Sequence, residues 1–138
     1  MKIVVSACLL GENCKYSGGN NRSEAVLAFL EGHEVIPVCP ECLGGLPVPR
    51  ERAEIKEGVV VTKSGKSVDA AFREGAGKAL GIFEESGADM AVLQPRSPSC
   101  GKNEVYDGTF TGTRVPGHGV FAGMLLEKGY NVLGADEL

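Results

Sequence analysis

Lys2-Ile3-Val4-Val5-Ser6-Ala7 is short, rich in Val and Ile, and apolar nearly throughout. Such a run marks a parallel strand covered on both faces, because a half-exposed strand would alternate polar and apolar residues. Glu34–Val38 and Met90–Leu93 read the same way, and residues 131–134 supply a fourth, shorter strand. Helical patterns separate them. Ser23 is placed to cap a helix whose apolar face is Val26, Leu27, Phe29 and Leu30, with Gly32 as its stop. Val68, Phe72, Ala76, Ala79, Leu80 and Phe83 then repeat at helical spacing until Gly87, and residues 120–128 form a last helix before Gly129. This alternation predicts a layered, Rossmann-like α/β fold: a mostly parallel sheet with helices on both faces. A length of 138 residues suits a single domain, 1–138.

The remaining segments are expected to be less regular. Val59–Thr62 and residues 66–68, joined through Ser64-Gly65, predict a small β-hairpin insertion. Prolines and Gly44-Gly45 argue against regular structure over residues 40–49. Residues 94–119 read as one long loop, and a loop of that length in a compact domain is usually functional.

Composition narrows the class. Lys and Arg number 14 against 18 Asp and Glu, a net charge of −4 with both signs interspersed and no basic block, so binding to a nucleic acid backbone is not expected. No segment has the roughly 20 apolar residues of a membrane helix, and nothing at the N-terminus reads as a signal peptide. Five cysteines is an odd count, which favours reduced thiols in a cytoplasmic protein over a disulfide framework.

Three of those cysteines stand where a buried strand ends: Cys8 after the first, Cys39 after the second and Cys100 just past the third. Ligands of an open parallel sheet bind outside the carboxyl ends of its strands. Singly, each cysteine has a plain reading as a small buried hydrophobe. Cys39-Pro40-Glu41-Cys42 also suits a zinc half-site or a redox pair. Yet no second Cys or His pair has matching spacing, and Gly44-Gly45-Leu46-Pro47 follows where a thioredoxin-like helix would continue. The joint pattern points instead to one site whose three thiols hold a soft metal or an iron–sulfur cluster with one open position.

Other residues join that expectation. Glu41, two residues past Cys39, is a candidate general acid or base. Ser97 and Ser99, in Arg96-Ser97-Pro98-Ser99-Cys100-Gly101, are candidates to hydrogen-bond substrate or pass a proton, although serines in such turns commonly bond their own backbone. Lys15, Arg50, Arg52 and Lys102 add positive charge near the site, with Lys102 a candidate substrate contact.

The motifs together resemble those of the DUF523 family. Ser6-Ala7-Cys8-Leu9-Leu10-Gly11 with Tyr16-Ser17-Gly18-Gly19 is similar to its opening. Val38-Cys39-Pro40-Glu41-Cys42-Leu43-Gly44-Gly45-Leu46-Pro47-Val48-Pro49-Arg50 is similar to its second motif. Ser97-Pro98-Ser99-Cys100-Gly101 with Val105-Tyr106-Asp107-Gly108-Thr109-Phe110 is similar to its third, and Gly117-His118-Gly119-Val120 to a weaker fourth. The family includes thiouracil desulfidases. The resemblance implies an enzyme with a [4Fe–4S] cluster on Cys8, Cys39 and Cys100 that removes sulfur hydrolytically, without redox change, from a small thiolated pyrimidine. It implies that Glu41 activates water or relays its proton and that Ser97 assists.

The chain departs from that family pattern at four positions. Cys14 and Cys42 are additional thiols and potential competing ligands, Ser17 stands where aspartate is common, and Gln94 stands where lysine is common. A non-catalytic metal or sulfur carrier using the same thiols, or an α/β binding module with merely reduced cysteines, are the competing readings.

Overall fold

The computed structural model describes residues 1–138. In chain order the elements are β1 (Lys2–Ser6), α1 (Glu24–Leu30), β2 (Glu34–Val38), α2 (Pro40–Leu43), β3 (Ala53–Lys56), β4 (Val59–Thr62), α3 (Asp69–Ser86), β5 (Met90–Leu93), β6 (Glu104–Tyr106), β7 (Arg114–Pro116), α4 (Val120–Glu127) and β8 (Val132–Gly134). The main sheet has the order β2-β1-β5-β8, and all its pairs are parallel. Central β1 aligns Val4 with Ile36 on one side and with Ala91 on the other.

The two-residue period of a strand divides the core between the faces. Ile3, Val5 and Val92 meet Val26 and Leu30 of α1 on one face. Val4, Ala91 and Leu93 meet Ala76 and Phe83 of α3, and Phe121 and Leu125 of α4, on the other. The expected three layers are therefore present. Burying each of the Val, Ile, Leu and Phe side chains among these contributes roughly 1.5–3 kcal/mol, which fixes the strand ends firmly. Ser23 caps α1 as its position predicts, its hydroxyl accepting from the Val26 amide at 3.2 Å. Gly87 ends α3 in the left-handed conformation, φ +69°. No helix is long and apolar enough to cross a membrane.

The segments expected to be irregular contain more structure than their composition suggests. Pro40 occupies the first turn of a short helix, α2, with Cys39 as its N-cap. Proline is compatible with that place because the first helical amides lack partners anyway. The Cys39-x-x-Cys42 pair thus does open a helical turn. That turn is held backbone to backbone against α3: a Cβ on Gly75 would lie 1.8 Å from the Pro40 carbonyl oxygen, so only glycine permits the approach.

The hairpin insertion also has a different partner. β4 pairs antiparallel with β3 across Glu57-Gly58, both at positive φ, which suits a tight two-residue turn. The Ser64-Gly65 turn adds only a single bridge, Val61 to Ser67. Residues 94–119 carry a second hairpin, β6 with β7. Its strands are three residues each, too short to announce themselves among the Gly and Thr between them.

Candidate functional site

The chain leaves β1 for α1 on one face of the sheet and leaves β5 for α4 on the other. Diverging connections open a crevice at the carboxyl ends of neighbouring strands. A cavity of about 290 Å³ lies there, and Cys8, Cys39, Cys100, Glu41 and Ser97 all line it.

Each thiol is set by local backbone chemistry. Cys8 lies in a 3-10 turn, Ala7–Leu10, closed by Gly11 at φ +97°. Cys39 is the residue between β2 and α2. Cys100 sits in a tight loop whose Gly101 amide donates to the Ser97 carbonyl at 2.9 Å. The Ser97 hydroxyl oxygen accepts from the amides of Ser99 and Cys100, both at 3.1 Å. That loop is fastened to α4 by the Phe121 amide donating to the Ser99 carbonyl at 2.8 Å. Gly119 allows the contact, since a Cβ there would lie 2.5 Å from the Ser99 carbonyl carbon.

Burial makes these thiols weaker acids. Desolvation pushes Cys100 well above its ordinary value, with the Cys8 and Cys39 thiols and Glu41 adding repulsion. Desolvation likewise raises Cys8, partly offset by the Asn21 amide, which donates to its sulfur at 3.5 Å. Burial and the neighbouring Cys39 push Cys14 up, and burial with a hydrogen bond to Cys39 brings Cys42 to about 11. Thiols that resist ionisation in the bare protein are relieved by a cationic partner, and binding one must release their protons.

No three of the chain's His, Cys, Asp and Glu side chains are grouped as a single metal ion requires. In a cubane cluster each thiolate binds its own iron, so its ligands stand further apart than those of one ion. Thiolates are the ligands such clusters take. Cys8, Cys39 and Cys100, all lining one cavity, are a donor set of the kind such a cluster takes.

Glu41 is clamped on both oxygens. Oε1 accepts from Arg50 Nε at 3.1 Å and meets Nη2 at 3.0 Å. Oε2 accepts from the Ser99 hydroxyl at 3.1 Å. Arg50 is itself 8% exposed and also donates to the Cys14 carbonyl at 2.9 Å and the Pro47 carbonyl at 3.1 Å. The guanidinium neutralises the carboxylate and fixes its plane.

The other expected residues divide. Cys14, Lys15, Arg50, Arg52 and Gln94 line the cavity. Ser99 does not: it is buried behind Glu41 and reaches the site through that carboxylate. Lys102 lies outside, its ammonium bound by both oxygens of Glu137 at 2.9 and 3.2 Å. Cys42 and Ser17 are also outside the lining. Tyr106 and Arg96 also line the cavity, and the only sequence signal for Tyr106 is its place in the Tyr106-Asp107-Gly108 motif.

The model of the 2-thiouracil desulfurase family matches residues 3–137. The chain belongs to that family. An uncharacterised protein of Bacillus subtilis (strain 168), YbbK, is 39% identical over 146 residues, spanning 99% of this chain and 97% of its own length. The solved structure of TudS, a [4Fe–4S]-dependent thiouracil desulfidase, matches with a TM-score of 0.92 and 41% identity. It covers 99% of this chain and 92% of that one. For a 2-thiouracil desulfurase family member, the placing of three thiols and one carboxylate around a single cavity is the feature that bears on chemistry.

Proposed function

We propose that this chain is a [4Fe–4S]-dependent desulfidase acting on a small thiolated pyrimidine, with Cys8, Cys39 and Cys100 as the ligands of the cluster. The observation that carries the reading is the convergence of these thiols with a clamped, cavity-facing Glu41. Membership of the family and the likeness to TudS support it.

When bound, the cluster supplies an iron with an open position, a Lewis acid suited to a soft thiocarbonyl sulfur. The remaining chemistry belongs to side chains of this chain. Glu41 accepts a proton from the attacking water, its orientation set by Arg50 and Ser99. The Ser97 oxygen already accepts two amide hydrogens, so its own hydroxyl hydrogen is available to substrate. Exchange of a thiocarbonyl for a carbonyl by water releases hydrogen sulfide and changes no oxidation state, so the reaction is hydrolytic. A thiolate-ligated cluster suits a reducing compartment, and the cytoplasm is the proposed location.

The test is iron and acid-labile sulfide per chain after anaerobic reconstitution, together with release of hydrogen sulfide from thiouracil. About four of each with turnover is the expected result. Four of each without turnover favours a carrier, and one zinc or no metal overturns the cluster assignment.

A further inference from the structure

Glu54 is a carboxylate that the proposed chemistry does not use, and it is 1% exposed. Burying a charge is costly unless it is paired and hydrogen-bonded, so its partners indicate what it does. Oε1 accepts from the amides of Gly108 and Phe110, both at 3.1 Å. Oε2 has no aligned hydrogen bond and is met only by the Arg52 guanidinium, 3.1 Å away. Glu54 therefore binds the β3–β4 hairpin to the turn of the β6–β7 hairpin. The two touch closely there: a Cβ on Gly108 would lie 2.7 Å from the Lys56 Cβ and 2.8 Å from the Ile55 carbonyl oxygen.

This junction carries two cavity-lining side chains, one beside each hairpin. Arg52 lies over the ring of Tyr106 with its guanidinium carbon 4.8 Å from the ring centre. A guanidinium and a phenol ring held together offer planar groups to the cavity, with the guanidinium's charge balanced by Glu54. We propose that Arg52 and Tyr106 are the platform against which the planar ring of the substrate stacks, and that Glu54 is the positioning residue that holds this platform rigid. The identity of that ring, a thiocarbonyl heteroaromatic, rests on the desulfidase reading. Such a ring has a polarisable π face and electron-rich oxygen and sulfur, which suit both members of the pair. The cavity, about 290 Å³, is at the small end for ligand sites and matches a single ring. Tyr16 also lines the cavity, but its cation, Lys15, is 5.8 Å from the ring centre and no buried carboxylate fixes the pair. Tyr16 is 39% exposed.

The experiment compares thiouracil with its ring-saturated dihydro analogue, which is not flat, on reconstituted wild type and variants. Stacking on an aromatic side chain is worth roughly a factor of ten or more in affinity. Tyr106→Ala should raise KM for thiouracil about tenfold while kcat changes less than about threefold, and should shrink the preference for the planar ring by a similar factor. Tyr106→Phe should recover most of that preference. Arg52→Lys keeps the charge but loses the plane, so it should raise KM several-fold. Glu54→Gln should do the same, with a melting curve to show that it folds. Unchanged KM and unchanged planar preference in Tyr106→Ala and Arg52→Lys overturn the platform. Should wild type fail to turn over thiouracil, the desulfidase reading fails, and calorimetry with uracil still tests the platform. Binding weakened by Tyr106→Ala supports it. No binding, or binding unaffected by the substitution, overturns it.

Discussion

Glu41 lines the cavity and Glu54 lies behind its lining, yet each meets an arginine at nearly the same distance, 3.0 Å to Arg50 and 3.1 Å to Arg52. Their surroundings assign them different work. Glu41 is 17% exposed and opens onto the floor of the cavity, the carboxyl edge of the parallel sheet. Glu54 is sealed behind the wall, and its oxygens are spent on two backbone amides and one guanidinium. An ion pair by itself does not identify a catalytic group. What distinguishes the two is whether an oxygen still faces space that a substrate or water can enter. The floor sets its thiols and Glu41 on strand ends fixed by the core, whereas the wall sets Arg52 and Tyr106 on hairpins joined through one buried carboxylate.

The largest effect separates the floor thiols from their neighbours. Cys8→Ala, Cys39→Ala and Cys100→Ala should each lose most of the iron bound after anaerobic reconstitution. Cys14→Ala and Cys42→Ala should keep it, although the Cys39 and Cys42 thiols both donate to the Cys14 carbonyl, at 3.8 and 4.0 Å. Comparable loss from all five would show that the floor is a diffuse thiol cluster rather than three defined ligands.

Next in size is the contrast between the two glutamates. Glu41→Gln keeps the shape and removes the base, so it should retain iron and lower kcat by about a hundredfold or more. Arg50→Lys, which gives up the forked contact to Glu41, should lower kcat by about tenfold, the cost of one charge-assisted hydrogen bond. Glu54→Gln should act on KM instead. Steady-state kinetics on the three variants breaks the comparison if Glu54→Gln and Glu41→Gln give the same pattern.

The floor was largely legible in the sequence and the wall was not, for a physical reason. Strands β1, β2 and β5 are buried on both faces, so their apolar runs carry their own signal, and their ends place Cys8, Cys39 and Glu41 directly. Cys100 followed from the same rule with a loop of unknown course. The wall depends on which short segment pairs with which. Val59–Thr62 reads as a strand, but its partner Ala53–Lys56 is a four-residue mixture with a glutamate facing inward, and glutamates are ordinarily solvated. Nothing local in Ala53-Glu54-Ile55-Lys56 announces that the carboxylate will meet amides more than fifty residues away. Ser99 and Lys102 lie outside the cavity lining for a related reason. Both lie in the right loop, but adjacent loop residues face opposite ways, and only packing against Glu41 and Glu137 fixes which side is which.

The smallest effect concerns that last contact, which ties the Cys100 loop to the C-terminal turn from outside the cavity. Glu137 accepts from the Gly134 amide at 2.8 Å and from Lys102 at 2.9 Å, and these two bonds hold its carboxyl below the usual carboxylate range. A depressed folded-state value means that the ionised form is favoured by folding. Its contribution is therefore fully present above about pH 4.3, the ordinary value for a glutamate, and is lost as pH falls through the lower folded value. Both partners are partly exposed, so the pair is worth about 1 kcal/mol or less. Glu137→Gln should lower the melting temperature by about 2 °C at pH 7 and by progressively less below pH 4, where wild type and variant converge. Iron content and kcat should stay within about twofold, because the backbone bonds to α4 hold the Cys100 loop without this latch. A variant that melts as expected but loses iron would mean that the floor, like the wall, leans on a single ion pair, and the distinction between the two regions would fall.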